Sequence, residues 1–320
     1  MTNMFKEAQL SQQRHYDSLP PFPAILNPSI PSPSLSLLID SIKTQKSSFI
    51  EPLLQKHGAI LLRGFPISTA SEFNDFVEAF GYEDFPYRGA APRTRIVGNV
   101  YTANEGPPDQ DIKFHHEMNR YPTFPSKLFF FCEVAPESGG ETPIVLSHIV
   151  YEKMKERHPD FVQALEEHGL VYTRDLPEDD DPTSAQGRGW KSTFSAQDKS
   201  EAEERAAKMN LKLEWFEGGV RTITEPVPAI RVDETRNRKV WFNNLTDVIA
   251  TSKFLKITMG DGKPLPLDIL LDLRKILNEE CVAIPWQKGD ILLVDNWAAQ
   301  HSRRTWSFHT QRRVLAALCA

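Results

Sequence analysis

Cysteine is scarce in this 320-residue chain. Cys132, Cys281 and Cys319 form an odd, widely spaced set, which excludes a disulfide framework and fits a reducing, cytoplasmic compartment. Cys132 lies in the apolar run Leu128–Val134 and reads as a small core residue. A basic excess is also missing. The 37 Lys and Arg residues stand against 43 Asp and Glu, for a formal net charge of −6, so no cationic field is expected to hold a nucleic acid. No apolar run approaches the ~20 residues needed to span a bilayer, so no membrane partner is expected. Met1–Leu10 lacks the basic-then-apolar pattern of a secretory signal, and Leu318-Cys-Ala320 is not a peroxisomal tripeptide. The sequon at Asn244-Leu-Thr246 therefore carries no implication. The Gly-x-Ser-x-Gly, P-loop and Gly-x-Gly-x-x-Gly patterns are absent. What remains is a folded globular composition, 40% hydrophobic and 25% charged.

Residues 18–36 are rich in Pro and Ser and read as an extended arm or loop. Ala59–Arg63 reads as a strand ended by Gly64. Phe73, Phe76, Val77 and Phe80 recur at helical spacing, which predicts an amphipathic helix over Ser71–Phe80 closed by Gly81. Arg95–Tyr101, Lys127–Val134 and Thr142–Leu146 read as strands. Ser147 is a candidate N-cap for a helix through Arg157, and Phe161–His168 is a second helix. Glu178–Pro182 reads as a solvated charge run. Ser200 and Glu203 suggest a capping box for a helix to Met209. Leu267–Leu277 is helical by period, and Lys239–Asn243, Asp290–Asp295 and Arg312–Cys319 are strands. Together these predict one β-rich sandwich or jelly roll, with helices outside it and a long helical insert.

Two segments carry chemistry. In Lys113-Phe-His-His-Glu-Met-Asn119, extended chain would point His115 and Glu117 to one face and His116 to the other. An imidazole and a carboxylate on one face, joined by a distant histidine, make the 2-His-1-carboxylate set suited to non-haem Fe(II). Alone, that triplet is as compatible with exposed charge. The second segment, Asp295-Asn-Trp-Ala-Ala-Gln-His301-Ser-Arg-Arg304, follows a buried strand and supplies a histidine. Arg313 comes twelve residues later, where the last apolar strand begins. Its planar fork suits bidentate binding of a dicarboxylate.

Phe114-His-His-Glu-Met, Gly139-Gly-Glu-Thr-Pro143, Asp295-Asn-Trp with His301-Ser-Arg-Arg, and Arg312-Arg-Val-Leu occur in that order. Gly89-Ala-Ala-Pro-Arg93, Phe242-Asn243 and Asp261-Gly-Lys-Pro-Leu265 accompany them. This pattern resembles the taurine-dioxygenase/clavaminate-synthase (TauD/TfdA) family of Fe(II)- and 2-oxoglutarate-dependent oxygenases, and within it the plant clavaminate-synthase-like group. The likeness runs from about Ala59 to the C-terminus. It implies a double-stranded β-helix (a jelly roll, mainly β with α) over residues 59–320, with a helical insert at about 147–280. Residues 1–58 form an N-terminal arm and packing segment without a motif. It also implies that His115, Glu117 and His301 bind Fe(2+), that Thr142 hydrogen-bonds the 2-oxoglutarate carboxylate, that Arg313 pairs with that co-substrate, and that O2 is the oxidant. Retention of Glu117 disfavours halogenation.

The expected function is oxidation, by hydroxylation, of an unactivated C–H in a small polar, amino-acid-like or specialised metabolite, with release of succinate and CO2. A zinc hydrolase on the same three ligands is an alternative, but it leaves Thr142 and Arg313 without a task. A non-enzymatic jelly-roll binding protein is a second alternative. Asn99, Tyr101, Asn104, Trp241, Asn243 and Asn244 are candidates to line a pocket, or turn and strand-end residues satisfying backbone.

Overall fold

Three runs, Lys127–Val134, Ile291–Asp295 and Arg313–Cys319, are apolar at successive positions rather than alternate ones. Such strands are buried on both faces. They lie side by side in the computed structural model, which describes residues 4–87, 93–181, 187–248 and 255–320. Leu293 pairs with both Phe129 and Ile60, and Ala316 with Phe130. The eight-stranded sheet runs in the order Phe5–Ala8, Ala24–Pro28, Ala59–Leu62, Ile291–Asp295, Lys127–Val134, Arg313–Cys319, Val100–Thr102, Arg95–Val97. Its outer face carries Phe129, Phe131, Leu293, Leu315 and Ala317. The helices Leu35–Gln45 and Ala70–Glu78 cover that face, with Phe73 stacked on Phe131 at 5.0 Å between centroids. Its inner face carries Phe130, Cys132, Leu292, Val294, Val314 and Ala316. Those side chains meet a three-stranded sheet of Ile144–Leu146, Ala299–Arg303 and Ile112–His115. The two sheets are the expected jelly roll.

Several expectations are corrected. The Pro-rich N-terminal stretch is not a bare arm: Ala24–Pro28 pairs in parallel with Ala59–Leu62, and Phe5–Ala8 extends the sheet beyond it. Leu19–Phe22, with two prolines, pairs only with the short strand Arg14–Tyr16, at a sheet edge where missing donors are tolerated. The expected strand Arg95–Tyr101 is a hairpin that turns at Gly98-Asn99. Gly98 adopts φ +51°, and a Cβ there would come 2.0 Å from Asn74 Oδ1 and displace that side chain, so the turn favours glycine. Ser147 is not an N-cap but the first residue of its helix, and its hydroxyl is engaged elsewhere. The helix Lys199–Ala207 is capped by Asp198, which accepts from the Glu201 amide, rather than by Ser200.

The insert is not purely helical. Between the helices Ser147–Arg157 and Leu267–Glu280 lies an antiparallel sheet in the order Leu211–Phe216, Gly219–Thr224, Leu170–Pro177, Leu255–Met259. Leu211-Lys-Leu-Glu-Trp-Phe216 alternates half-buried and exposed residues and turns back at Glu217-Gly218, a period-two hairpin pattern that is legible in the sequence.

Removing the Phe131 ring should empty the joint between helix and sheet. Phe131→Ala is expected to lower stability by about 3–5 kcal/mol. Phe308→Ala, on a ring 66% exposed, should change it by less than about 0.5 kcal/mol. Urea unfolding of the two variants checks both values.

Candidate active site

The three-stranded sheet positions the site. His301 lies on its central strand, opposite His115 on one side and Ile144 on the other. The antiparallel register therefore sets the two imidazoles side by side, with ring centroids 4.3 Å apart and planes tilted by 47°. The strand carrying His115 ends there, and Glu117 follows on a stretch clamped by Asn296. The Asn296 carboxamide accepts from the Glu117 N–H at 2.9 Å and donates to the carbonyls of Glu117 (3.1 Å) and Pro125 (2.8 Å). One ligand-type atom each from His115, Glu117 and His301 lies within 4.8 Å of the others. The three expected ligand residues are thus brought together.

Their protonation suits a cation. Burial alone would raise the Glu117 carboxyl, but the Arg93 guanidinium, 3.1 Å from Oε2, and the two histidines outweigh it. The group is held well below the usual carboxylate range. Burial, with His115 adding to it, pushes His301 down to about 4, so its ring is neutral near pH 7. His115 Nδ1 lies 2.8 Å from the Lys113 carbonyl, which can only accept. The proton is therefore on Nδ1, and the Nε2 lone pair is free to ligate. Two imidazoles and a carboxylate gathered in this way fit a divalent first-row metal.

His116 faces another way, as the period-two argument expects. Nδ1 donates to the Asn296 carbonyl, and Nε2 accepts from the Ser147 hydroxyl at 2.7 Å. The ring stacks on Phe242 at 4.1 Å. Burial pushes it to about 3, so it stays neutral, but both nitrogens are already in use. His116 braces Asn296, which in turn fixes Glu117.

The histidines and Glu117 open into a cavity of about 190 Å³. Thr142 lines it, as expected. Arg313 does not. Its side chain is half-exposed, and its Nη1 pairs with Glu133. Arg312 lines the cavity instead, donating from Nε to the Gly140 carbonyl at 2.6 Å and from Nη2 to Thr142 Oγ1 at 3.4 Å. Its guanidinium lies over the Trp306 ring at 5.1 Å, and burial pushes its pKa to about 10, still charged at neutral pH. The expected register was off by one residue. Val314, Ala316 and Leu318 face inward while Leu315, Ala317 and Cys319 face outward, so an unbroken apolar run gives no sign of which parity is inside. A register shift between Arg313 and Val314 adds to the ambiguity. The Gly139-Gly140 pair also acquires a reason. A Cβ on Gly140 would come 2.7 Å from Arg312 Cδ, and one on Gly139 would come 2.5 Å from the Thr305 carbonyl oxygen.

Of the six pocket candidates, Asn104 and Asn244 line the cavity; Asn99, Tyr101, Trp241 and Asn243 do not. Asn99 donates to the Leu318 carbonyl and Asn243 to the Ala229 carbonyl, the backbone roles that were their alternative. Arg93, Arg120 and Asp247 line the cavity and were not anticipated as site residues. Gly89–Pro92 of the motif before Arg93 lie outside the described residues.

The jelly roll gathers His115, Glu117 and His301 at a cavity, a candidate site for a single metal ion. Residues 34–319 match the family model for the taurine catabolism dioxygenase TauD, TfdA family. A clavaminate synthase-like protein of Arabidopsis thaliana is 58% identical over 98% of both chains. The dapdiamide synthesis protein DdaC of Enterobacter agglomerans is 26% identical over 84% of both. The chain belongs to the TauD/TfdA dioxygenase family. PvcB of Pseudomonas aeruginosa shares the fold, with a TM-score of 0.56 at 16% identity over 98% of this chain and 94% of its own.

His115→Ala should abolish Co(II) uptake, whereas His116→Ala should lose stability yet retain uptake. The d–d absorption of bound cobalt, recorded on both variants after circular dichroism confirms folding, checks this. Equal loss in two folded variants would contradict the assignment.

Proposed function

We propose that this protein is an Fe(II)- and 2-oxoglutarate-dependent dioxygenase that hydroxylates an unactivated C–H bond of a small polar, amino-acid-like metabolite. The convergence of His115, Glu117 and His301 beside Arg312 and Thr142 in one cavity carries the reading. Membership of a dioxygenase family supports it, as does a relative named for dapdiamide synthesis. His115, Glu117 and His301 would hold the iron. Iron held there would supply the oxidising chemistry, with O2 as oxidant and 2-oxoglutarate converted to succinate and CO2.

The chain's own residues bind, orient and exclude water. Arg312 offers a guanidinium preset by Gly140 and Trp306 to the distal carboxylate of 2-oxoglutarate, and the Thr142 hydroxyl stands beside it. Arg312 therefore takes the role that the family resemblance gave to Arg313. Arg93 holds the Glu117 carboxylate in place. Phe130, with its ring 5.1 Å from His301, forms part of the dry wall. No side chain needs to transfer a proton to substrate. A zinc hydrolase would leave Arg312 and its glycine cradle without a task.

Arg312→Lys keeps the charge but loses the planar fork. The KM for 2-oxoglutarate should rise about tenfold or more, and Arg313→Lys should change it by less than about twofold. Succinate production at varied 2-oxoglutarate measures both. A rise confined to Arg313→Lys would overturn the assignment of Arg312.

A further inference from the structure

We propose that Arg236 is a positioning residue for Glu117 and His301: from the hairpin of the insert it pins the turn at residues 296–298, on which both ligand segments depend. This rests on the reading of the triad as an iron site.

That turn is a junction. It joins the floor strand Ile291–Asp295 to the strand Ala299–Arg303, which carries His301. It also holds Asn296, whose carboxamide clamps the backbone of Glu117. The Asn296 N–H donates to the Ser126 carbonyl at 2.9 Å, and the Ala298 carbonyl accepts from the Ser147 N–H at 2.9 Å. Asp295 controls the entry. Its Oδ1 accepts from the Trp297 N–H at 3.0 Å, and its Oδ2 pairs with Arg236 Nη2 at 2.7 Å.

Arg236 is fixed from several sides. It lies in the turn that joins the strands Ile230–Asp233 and Arg238–Trp241, and its N–H donates to the Asp233 carbonyl at 3.2 Å. Nη1 pairs with Asp233 Oδ2 at 2.8 Å. Nε donates at 2.7 Å to the carbonyl of Gln55, in the last turn of the helix Glu51–His57, where backbone carbonyls carry negative partial charge. The Asp233 side chain is 2% exposed and that of Arg236 8%. One guanidinium therefore serves two buried carboxylates and a helix end. Removing it leaves charge uncompensated, so the arrangement specifies one geometry.

None of this touches substrate space. Asp233, Arg236 and Asp295 do not line the cavity of about 190 Å³. The network reaches the site through the turn alone. The segment that follows the hairpin is tied to the same strand again, because Gln300, next to His301, donates to the carbonyls of Trp241 (3.3 Å) and Asn243 (2.7 Å). The opposite end of the floor strand supplies a matched comparison. There Arg63 pairs with buried Asp290 through Nε at 2.9 Å and Nη2 at 2.6 Å.

The test is amide hydrogen exchange of the metal-free protein, read by NMR at the Glu117 N–H with the Phe130 N–H of the central strand as reference. Arg236→Gln should speed exchange at Glu117 relative to Phe130 by about tenfold or more. Arg236→Lys keeps a charge near Asp295 but loses the fork, and should lie between. Arg63→Gln should change the same ratio by less than about twofold. Circular dichroism confirms folding, and the lysine variant keeps the test decisive if the glutamine variant does not fold. Co(II) titration should show a Kd raised about tenfold in Arg236→Gln and by less than about twofold in Arg63→Gln. Unchanged exchange at Glu117 in a folded Arg236 variant, an equal acceleration in Arg63→Gln, or faster exchange with unchanged Co(II) affinity overturns the proposal. Failure of the unaltered protein to bind Co(II) would count against the iron reading, while the exchange ratio still decides whether Arg236 holds the clamp on Glu117.

Discussion

The antiparallel register of Ala299–Arg303 against Ile112–His115 is the constraint on which the rest depends. It puts His301 opposite His115 and so fixes two of the three candidate metal-ligand positions by backbone hydrogen bonding. A slip of one residue would send every side chain on the strand to the other face. The neighbouring pairing with Ile144–Leu146 locks the same strand from its other edge and brings Thr142 alongside. The eight-stranded sheet then serves as the floor, with Phe130 and Val314 packed below the site. Glu117 lies beyond the end of its strand, where ladder bonds no longer hold it. Asn296, braced by His116, supplies in side-chain hydrogen bonds what the sheet supplies for the histidines.

Charge is the second organising element. The site gathers guanidinium groups with the carboxylates of Asp111, Glu117 and Asp247 and three imidazoles. Arg93 is held by the Glu117 carboxylate, Lys113 by Asp111, Arg303 by backbone carbonyls and the Asn104 carboxamide, and Arg312 by the Gly140 carbonyl. Arg312 shows how specific this placement is: glycine at position 140 is required for its stem to pass, and Trp306 supports its plane. The Gly-Gly-Glu-Thr stretch is therefore one device with two parts, a cradle for Arg312 and a hydroxyl beside its fork.

Much of this was legible in the sequence where one periodicity dominated. The helix over Ala70–Glu78 followed from its phenylalanine spacing, and the doubly buried strands from their unbroken apolar runs. The separation of His115 from His116 followed from strand alternation, and the order of motifs pointed to the family. What escaped had physical causes. Arg312 and Arg313 could not be told apart because both faces of their strand are buried. The N-terminal strands were masked by proline, which is compatible with extended chain at a sheet edge. Arg120 is invisible to pattern reasoning, because only a tight turn at Met118 carries it back to the cavity. The insert's hairpin at Glu217-Gly218 was there to be read in its alternation.

The central claim is that the triad and Arg312 together make one chelating centre for iron and 2-oxoglutarate. Anaerobic titration of the protein with Fe(II) and 2-oxoglutarate, followed by visible absorption, tests it most directly. A weak chelate band should grow to one iron per chain, require both components and fail to form in Glu117→Ala. A band of equal strength in a folded Glu117→Ala protein, or none in the unaltered protein, would contradict the account.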